Sequence, residues 1–242
     1  MGLIFDEPLN PQCLSIDLKM IAKSHSLRCD AKQAQDRFLK FDAFINSIES
    51  FEVGDVLPNP IIKGIQPSYI EEINVSGVPV VNTLAIQNMQ INVSDCRFIT
   101  EEDFDSIDEE RKCRQNDILL TVDGGTSIGK AVLFSLEGDF TIDSHVSILR
   151  PVGIKPVVLV YLLASPMGQI QFKRAESGAS GQTAVTEEDI RRFRFPLVNL
   201  NALEKEVNKM DKMKKQVEFQ KSKLDSDLAT AWLNFNDKLA GK

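Results

Sequence analysis

The sequence predicts an α+β fold: a globular domain with a twisted, mostly antiparallel sheet and flanking helices, followed by one long C-terminal coiled-coil helix. Short apolar runs bounded by turn residues, such as 118–122 and 146–149, are typical of antiparallel strands. Apolar residues at helical spacing between 31 and 48 predict a flanking helix. Residues 201–239 contain neither glycine nor proline and carry a seven-residue apolar repeat, which indicates a coiled coil.

Composition restricts the class of protein. The 242 residues are 43% hydrophobic, which is sufficient for a sizeable core. No apolar run reaches the roughly 18 residues that a membrane span needs, and the amino terminus lacks the features of a signal peptide. The four cysteines are isolated in sequence and there are only two histidines, so we expect reduced thiols, no metal site and a cytoplasmic location.

The order of elements follows from caps, turn residues and periodicity. Asp30 is suited to cap the helix at about 31–48, whose phenylalanines we expect in the core. Glycines and prolines between 51 and 69 predict loops and short strands, and 77–82 predicts a turn into a strand. The remaining elements are predicted in this order: a polar helix or turn at 101–110, strands at 118–122, 140–142 and 146–149, a helix across 157–172 interrupted near Pro166, a polar loop at 177–182, a short helix capped by Thr186, and a strand at 193–197.

The stretch 117–134 has the spacing of a phosphate-binding loop. Gly124, Gly129 and Lys130 fit G-x-x-x-x-G-K, and an apolar run precedes them. However, Ala131 stands where a hydroxyl would reach magnesium, and a short apolar run follows instead of a helix. We therefore interpret the stretch as two antiparallel strands whose connecting glycines supply positive φ. A nucleotide-hydrolysing enzyme is the alternative, and nucleotide binding by the isolated protein would favour it.

The C-terminal repeat predicts a seam of two apolar columns. The members of the first column are Leu203, Met210, Val217, Leu224 and Ala231, and those of the second are Val207, Leu228 and Phe235. Lys214 and Lys221 hold middle positions of the second column, where polar residues fix register and partner choice. At about 1.5 Å per residue the helix spans roughly 57 Å, so we expect it to pair with another helix rather than pack only on its own domain. We divide the chain into a domain at 1–200 and this helix at 201–242.

Six motifs follow one another through the domain. They are the segment 77–82, the hairpin from Asn116-Asp117-Ile118-Leu119-Leu120 to Ile128-Gly129-Lys130, the corner Ile148-Leu149-Arg150-Pro151, the helix Tyr161-Leu162-Leu163-Ala164-Ser165, the glycine loop 178–182 and the strand end 195–197. In this order they resemble the DNA-specificity (S) subunit of type I restriction–modification systems, over roughly residues 50–240. Asn116 replaces the family's glycine, and residues 1–30 have no counterpart. Because a full S subunit has two recognition domains and two long helices, the resemblance implies a half-subunit that dimerises or part of a longer protein.

The resemblance also implies a non-catalytic role in reading double-stranded DNA. Base edges in the major groove give specificity, and phosphate contacts give position. The candidate DNA-binding residues are polar or glycine positions in loops. They are Gln66, Ser68, Tyr69, Asn82, Thr83, Gly125, Thr126, Ser127, Lys130, Lys173, Arg174, Ser180 and Gln182.

The partners implied by the resemblance are a methyltransferase subunit and a restriction subunit. The methyltransferase would bind S-adenosylmethionine and flip the target adenine, so this chain needs no cofactor. Two copies of the chain would form a homodimer through antiparallel C-terminal helices, which predicts a palindromic or nearly palindromic DNA target. Two alternatives remain open: a protein-interaction scaffold based on the coiled coil, and an inhibitor that imitates the S subunit, which the acidic run 101–110 favours slightly.

Overall fold

A computed structural model describes residues 31–71, 77–179 and 182–239. Contacts divide the chain into two units between Leu197 and Val198, and each unit is described by itself. The predicted cap at Asp30 and the candidate residue Ser180 lie outside the described residues.

Short strands and helices alternate along the globular unit. The strands are β1 (Ser50–Glu52), β2 (Ile62–Lys63), β3 (Val78–Val81), β4 (Ile86–Gln87), β5 (Gln90–Ile91), β6 (Arg97–Ile99), β7 (Ile118–Thr121), β8 (Ala131–Leu133), β9 (Thr141–Ile142), β10 (Val146–Leu149), β11 (Ser177–Ala179), β12 (Gln182–Ala184) and β13 (Arg194–Pro196). The helices are α1 (Asp36–Asn46), α2 (Glu101–Asp105), α3 (Pro156–Ala164), α4 (Pro166–Ala175), α5 (Glu187–Arg191) and, in the second unit, α6 (Leu200–Leu239).

The main sheet has the strand order β2-β10-β7-β8, and every neighbouring pair in it is antiparallel. All residues of β7 and β10 are buried, which explains why these strands are continuous apolar runs without alternation. A second sheet has the order β6-β3-β9, in which β3 and β9 run parallel. The predicted α+β fold with mostly antiparallel strands is confirmed, although the strands form several small sheets rather than one.

The core joins the two larger sheets. Val81 of β3 packs in one cluster with Leu119 of β7, Ile142 of β9 and Ile148 of β10. Phe134 belongs to the same cluster and meets Phe140 edge to face, with ring centroids 5.3 Å apart. This cluster makes a rigid support from which the loops at the ends of the strands project.

Helix α3 packs against β7 and β8 of the main sheet, and α4 packs against both α3 and α1. Helix α1 is preceded by a 3-10 turn at Ala31–Ala34, and its Phe38 and Phe41 pack with Ile170 of α4, so the predicted core role of the phenylalanines is confirmed. The predicted interruption near Pro166 is also confirmed. Ser165 ends α3 with extended backbone and caps α4 by accepting a hydrogen bond from Gly168 N at 3.2 Å.

Residues 177–182 do not form the simple polar loop that their composition predicts. The described residues of this segment, 177–179 and 182, belong to the antiparallel strands β11 and β12, in which Ser177 pairs with Ala184. Small polar residues have a low intrinsic preference for strands, but tertiary contacts stabilise them here. Asp123 forms an isolated β-bridge with Ala184, and Val185 N donates to Val122 O at 2.8 Å.

The first and last strands of the globular unit pair with each other. Phe51 of β1 lies opposite Phe195 of β13, and their ring centroids are 6.2 Å apart. Leu197 N then donates to Glu49 O at 2.8 Å. This two-stranded sheet brings the first and the last strand of the unit side by side.

Helix α6 is one uninterrupted helix of 40 residues, as predicted. Asn199 caps it, because its Oδ1 accepts hydrogen bonds from Asn201 N at 3.0 Å and Ala202 N at 3.2 Å. Within the seam, Val207 is buried, whereas the later apolar members Met210, Val217, Leu224, Leu228 and Phe235 are all more than half exposed. In the part of the chain that the structure describes, no helix is both long and apolar enough to cross a membrane.

Candidate nucleic-acid interface

The polar loops gather at one end of the main sheet. Because neighbouring strands are antiparallel, the carboxyl ends of β2 and β7 meet the amino ends of β8 and β10. We call the resulting surface the loop edge. It consists of the loops at 64–69, 122–130 and 143–145, with 82–84 and the strands β11 and β12 beside them. Most of the residues that the sequence analysis selected lie on it.

Residues 122–130 connect β7 to β8 as the predicted hairpin, and β8 rather than a helix follows Lys130. Gly124, Gly125 and Gly129 have φ of 100°, 62° and 83°, the left-handed region that glycine adopts without steric cost. A 3-10 turn at Gly125–Ser127 forms the tip. The phosphate-loop interpretation is wrong, because the helix amino terminus that would bind a nucleotide phosphate is replaced by a strand.

Lys130 is the basic residue of the hairpin loop. Its Nζ donates to Thr83 O at 3.2 Å, which joins the hairpin to the loop after β3. Its backbone N donates to Thr121 Oγ1 at 3.0 Å, and Thr121 Oγ1 in turn donates to Ser127 O. A lysine ammonium has three donors, so the contact with Thr83 positions Nζ and leaves capacity for an anion. The exposed side chain of Thr126 stands at the tip of the same loop.

Two side-chain pairs on the loop edge involve residues that the sequence analysis missed. Ser144 Oγ donates to Gln66 Oε1 at 2.9 Å. His145 Nδ1 is hydrogen-bonded to Asp123 Oδ1. The partners are 78 and 22 positions apart, so no local pattern relates them. The available signal was the cluster of polar residues immediately before strand β10.

Asp143 anchors the loop before β10. Its Oδ1 accepts a hydrogen bond from His145 N at 2.9 Å, and its backbone N donates to Val81 O at 3.1 Å. Burial raises the pKa of the Asp143 carboxyl, and the hydrogen bond from His145 N opposes that effect. This buried group therefore holds the backbone of the loop next to the exposed imidazole.

Asn82 has its amide engaged within the chain. Its Oδ1 accepts from Leu84 N at 2.8 Å and Ala85 N at 3.0 Å, and its Nδ2 donates to Asp95 O at 3.0 Å. The side chain is buried. Asn82 thus shapes the turn that presents Thr83, a structural role that the sequence grouping did not anticipate.

Ser68 is exposed in the loop after β2, whereas Tyr69 beside it is partly buried. The Arg97 guanidinium lies over the Tyr69 ring, with Cζ 3.5 Å from the ring centroid. Burial raises the pKa of the Tyr69 phenol, as does the nearby Asp143 carboxylate, whereas Arg97 lowers it. The phenol is therefore kept protonated and able to donate a hydrogen bond.

Lys173 and Arg174 lie in the last turn of α4 rather than on the loop edge. Lys173 is exposed. Arg174 Nη1 is 2.6 Å from Asp42 Oδ1, and its Nε donates to Gln33 Oε1 at 3.0 Å. Arg174 therefore links α4 to the α1 region, so its guanidinium has a structural role. Gln182 begins β12, where its backbone pairs with Ala179.

Two motif residues lie at the opposite end of the main sheet. Arg150 Nε and Nη2 contact the two carboxylate oxygens of Asp117 at 2.7 and 2.9 Å. Asp117 also accepts from Arg114 N at 2.9 Å, and the hydrogen bond to Asp117 raises the pKa of Arg150. This bidentate pair ties the start of β7 to the end of β10. The Asn-Asp and Arg-Pro motifs are thereby explained by sheet architecture.

The described residues include no group of three histidine, cysteine, aspartate or glutamate side chains placed to hold a metal ion. Cys96 and Cys113 are free thiols. Burial, together with the Asp95 carboxylate, raises the pKa of Cys96 to about 11, and burial also raises the pKa of Cys113. Both thiols are thus protonated at neutral pH.

The fold and the loop edge define an α+β domain that presents polar loops at one end of its main sheet and precedes a long helix. A protein-family model for this class, the type I restriction modification DNA specificity domain, matches residues 46–227, which is more than half of the chain. The chain belongs to this family.

Solved structures of such systems are similar to the chain. A structure from a study of complex assembly and conformational transition of the type I R-M system has a TM-score of 0.50 and 18% identity, covering 83% of this chain and 49% of that one. An S subunit from M. genitalium has a TM-score of 0.49 and 14% identity, and the match covers 72% of this chain and 41% of that one. An HsdS subunit from Thermoanaerobacter tengcongensis has a TM-score of 0.47 and 18% identity, and the match covers 83% of this chain and 48% of that one. The chain spans about half the length of these proteins or slightly less. No curated protein matches its sequence.

Proposed function

We propose that this chain is the sequence-specific DNA-binding part of a type I restriction–modification complex, and that it reads one half-site of duplex DNA through the loop edge. The observation that carries this proposal is the convergence, in a member of the DNA-specificity family, of five separate polar segments at one end of a buried sheet. Functional residues are commonly placed on loops that a rigid scaffold positions.

The loop edge offers two kinds of DNA contact. Lys130 and the backbone N–H groups of Gly125 and Thr126 are suited to phosphate oxygens, whereas Ser127 N donates to Gly124 O. Gln66, Ser68 and Thr126 are exposed and carry the amide and hydroxyl groups that read base edges. The surface is not strongly basic, because Asp123 and Asp143 accompany Lys130. We therefore expect stable binding to need a second recognition domain and the partner subunits.

In this proposal α6 is the spacer. The exposed seam residues would pair with the helix of a second copy, which would fix the separation of two half-sites. A methyltransferase subunit would supply S-adenosylmethionine and adenine methylation, and a restriction subunit would supply cleavage. The acidic run that favoured an inhibitor has a structural explanation, since Glu101, Glu102 and Asp103 form the first turn of α2, where carboxylates are stabilised.

The proposal is tested by adenine-methylation mapping in cells that contain the cognate methyltransferase subunit, with and without this chain. We expect one DNA sequence made of two separated half-sites to become methylated only when the chain is present.

In vitro, Lys130→Ala should lower the DNA affinity of the complex. It should also reduce the slope of log affinity against log salt concentration by about one unit, because one phosphate contact is lost. Lys40→Ala is the matched control, since Lys40 lies in α1 and pairs with Asp36.

Two outcomes would contradict the proposal, and a third would change only the role of Lys130. Absence of duplex DNA binding by the assembled complex would favour the scaffold. An assembled complex without methylation would favour the inhibitor. A salt slope that Lys130→Ala leaves unchanged would remove this lysine from the interface.

A further inference from the structure

We propose that His145 and Asp123 form a base-reading pair that accepts a hydrogen bond from an exocyclic amino group in the major groove, the N6 amine of adenine or the N4 amine of cytosine. The inference rests on the proposed function, because it assigns one contact of the DNA-binding surface. Neither residue belongs to the set that the sequence analysis selected.

The hydrogen bond to Asp123 determines which ring nitrogen of His145 is a donor and which is left as an acceptor for a ligand. An ionised carboxylate can only accept, so the proton shared with Asp123 Oδ1 belongs to Nδ1 of His145. In a neutral imidazole the other ring nitrogen is then an acceptor. The His145 side chain is 49% exposed, and none of the described residues hydrogen-bonds its Nε2. In the neutral form of His145, Nε2 is therefore an acceptor open to a ligand.

The backbone on both sides of the pair is held in place. Val122, which precedes Asp123, donates its N–H to His145 O at 3.0 Å. His145 N donates to Asp143 Oδ1 at 2.9 Å. Since both residues follow or precede buried strands, β7 and β10, the pair is positioned before any ligand arrives. Such preorganisation is what base readout requires.

The surrounding charges favour an amino group over a phosphate. Asp123 and Asp143 both lie beside the imidazole, and Lys130 is the only lysine or arginine within the five segments of the loop edge. Two carboxylates repel an anion and attract the partial positive charge of an amine. In the major groove that donor is found on adenine and cytosine, whereas guanine O6 and thymine O4 are acceptors. The pair therefore selects adenine or cytosine.

The test uses the methyltransferase complex at about pH 8, because only a neutral imidazole offers an acceptor nitrogen. Duplexes carry each substitution of the mapped half-site, and also purine for adenine or 2-pyrimidinone for cytosine, which lack only the amino group. With the natural chain, one analogue should weaken binding roughly tenfold. With His145→Phe, which keeps a ring and removes the acceptor, natural and analogue duplexes should bind equally. His145→Gln, which retains an acceptor, should restore part of the difference.

Lys130→Ala is the internal comparison: it should change the salt slope and retain the discrimination. His145→Phe should leave the salt slope unchanged and abolish the discrimination. The inference is overturned if His145→Phe keeps the discrimination at every position, or if it reduces the salt slope, which would assign His145 to a phosphate. Either result leaves the proposed function intact provided that the natural chain still binds DNA. If the natural chain does not bind DNA, both are overturned.

Discussion

The Asp117–Arg150 pair shows how a conspicuous motif residue can serve architecture. Only 3% of the Asp117 surface is accessible, and its carboxylate accepts hydrogen bonds from Arg150 and from Arg114 N. Arg150 also donates to Lys112 O at 3.3 Å. A buried carboxylate is tolerated only where such partners satisfy it. The pair therefore fixes the end of the sheet that lies opposite the loop edge.

Asp117→Asn should lower the free energy of unfolding by about 2 kcal/mol, because it removes a charged, bidentate acceptor. Solvent access to Arg150, whose side chain is 23% exposed, makes the loss smaller than for a fully buried pair. Chemical denaturation measures the effect. Glu109→Gln is the control: the Glu109 side chain is 77% exposed and pairs with Lys112, so the free energy of unfolding should stay nearly unchanged. Equal effects of the two substitutions would contradict a buried role for the pair.

Pairings between distant residues set the limit of what the sequence predicts about the site. Lys130, Gln66 and Thr126 became candidates because their loops are marked by glycine, proline and polar residues. Asp123 and His145 did not, because they come together only when β7 and β10 pair. Conversely, the Arg174 side chain carries the charge expected of a DNA contact, but Asp42 and Gln33 engage it.

Gly129 is constrained by its neighbour as well as by its backbone. A Cβ at this position would lie 2.8 Å from a ring carbon of Phe172 in α4, and Gln169 Nε2 donates to Gly129 O at 2.9 Å. The hairpin loop is thus packed directly against a helix. That contact explains how the loop that carries Lys130 keeps one conformation although its tip is exposed.

Comparing Gly129→Ala with Gly125→Ala separates the effect of positive φ from the effect of the contact with Phe172. Gly125 also has positive φ, but a Cβ there meets nothing within 4 Å, so its substitution should cost only about 1–2 kcal/mol of backbone strain. Gly129→Ala should cost a further ~1–3 kcal/mol because Phe172 must move. Unfolding midpoints measure both changes. If the two variants are equally stable, the contact with Phe172 does not constrain the loop.

Elements with strong local signals were predicted well. Helix α6, the capped helix α5 and the strands β7 and β10 lie within a few residues of their predicted bounds. Thr186 caps α5 as expected, with a reciprocal hydrogen bond involving Asp189. Strands β11 and β12 were missed because their small polar residues have no strand signal of their own, and contacts with Val122 and Asp123 stabilise them instead.

Helix α6 raises the question of what covers its seam in the assembly. Val217 and Leu224 belong to the same column of the repeat and are 62% and 68% exposed in the single chain. Phe219 is 74% exposed as well, but it lies two residues after Val217 and therefore about 200° around the helix. The repeat, rather than exposure alone, identifies the face that would pair.

If the proposed dimer forms through α6, the double substitution Val217→Asp with Leu224→Asp should convert it to a monomer, because two buried carboxylates would replace apolar contacts in each helix. Phe219→Asp is the matched control and should leave the dimer intact. Analytical ultracentrifugation measures the oligomer, and circular dichroism checks that each helix persists. If the seam and control variants have the same oligomeric state, self-association does not use the predicted columns.

The globular unit closes through the pairing of β1 with β13, and the hydrogen bond from Arg194 to Ser50 joins residues 144 positions apart. Closing so long a loop is entropically costly and must await the later residues. On the ribosome, the edge of β1 therefore lacks its partner until nearly all of the unit has been translated. Nascent chains that end before β13 expose this edge and are open to chaperones or to wrong pairing.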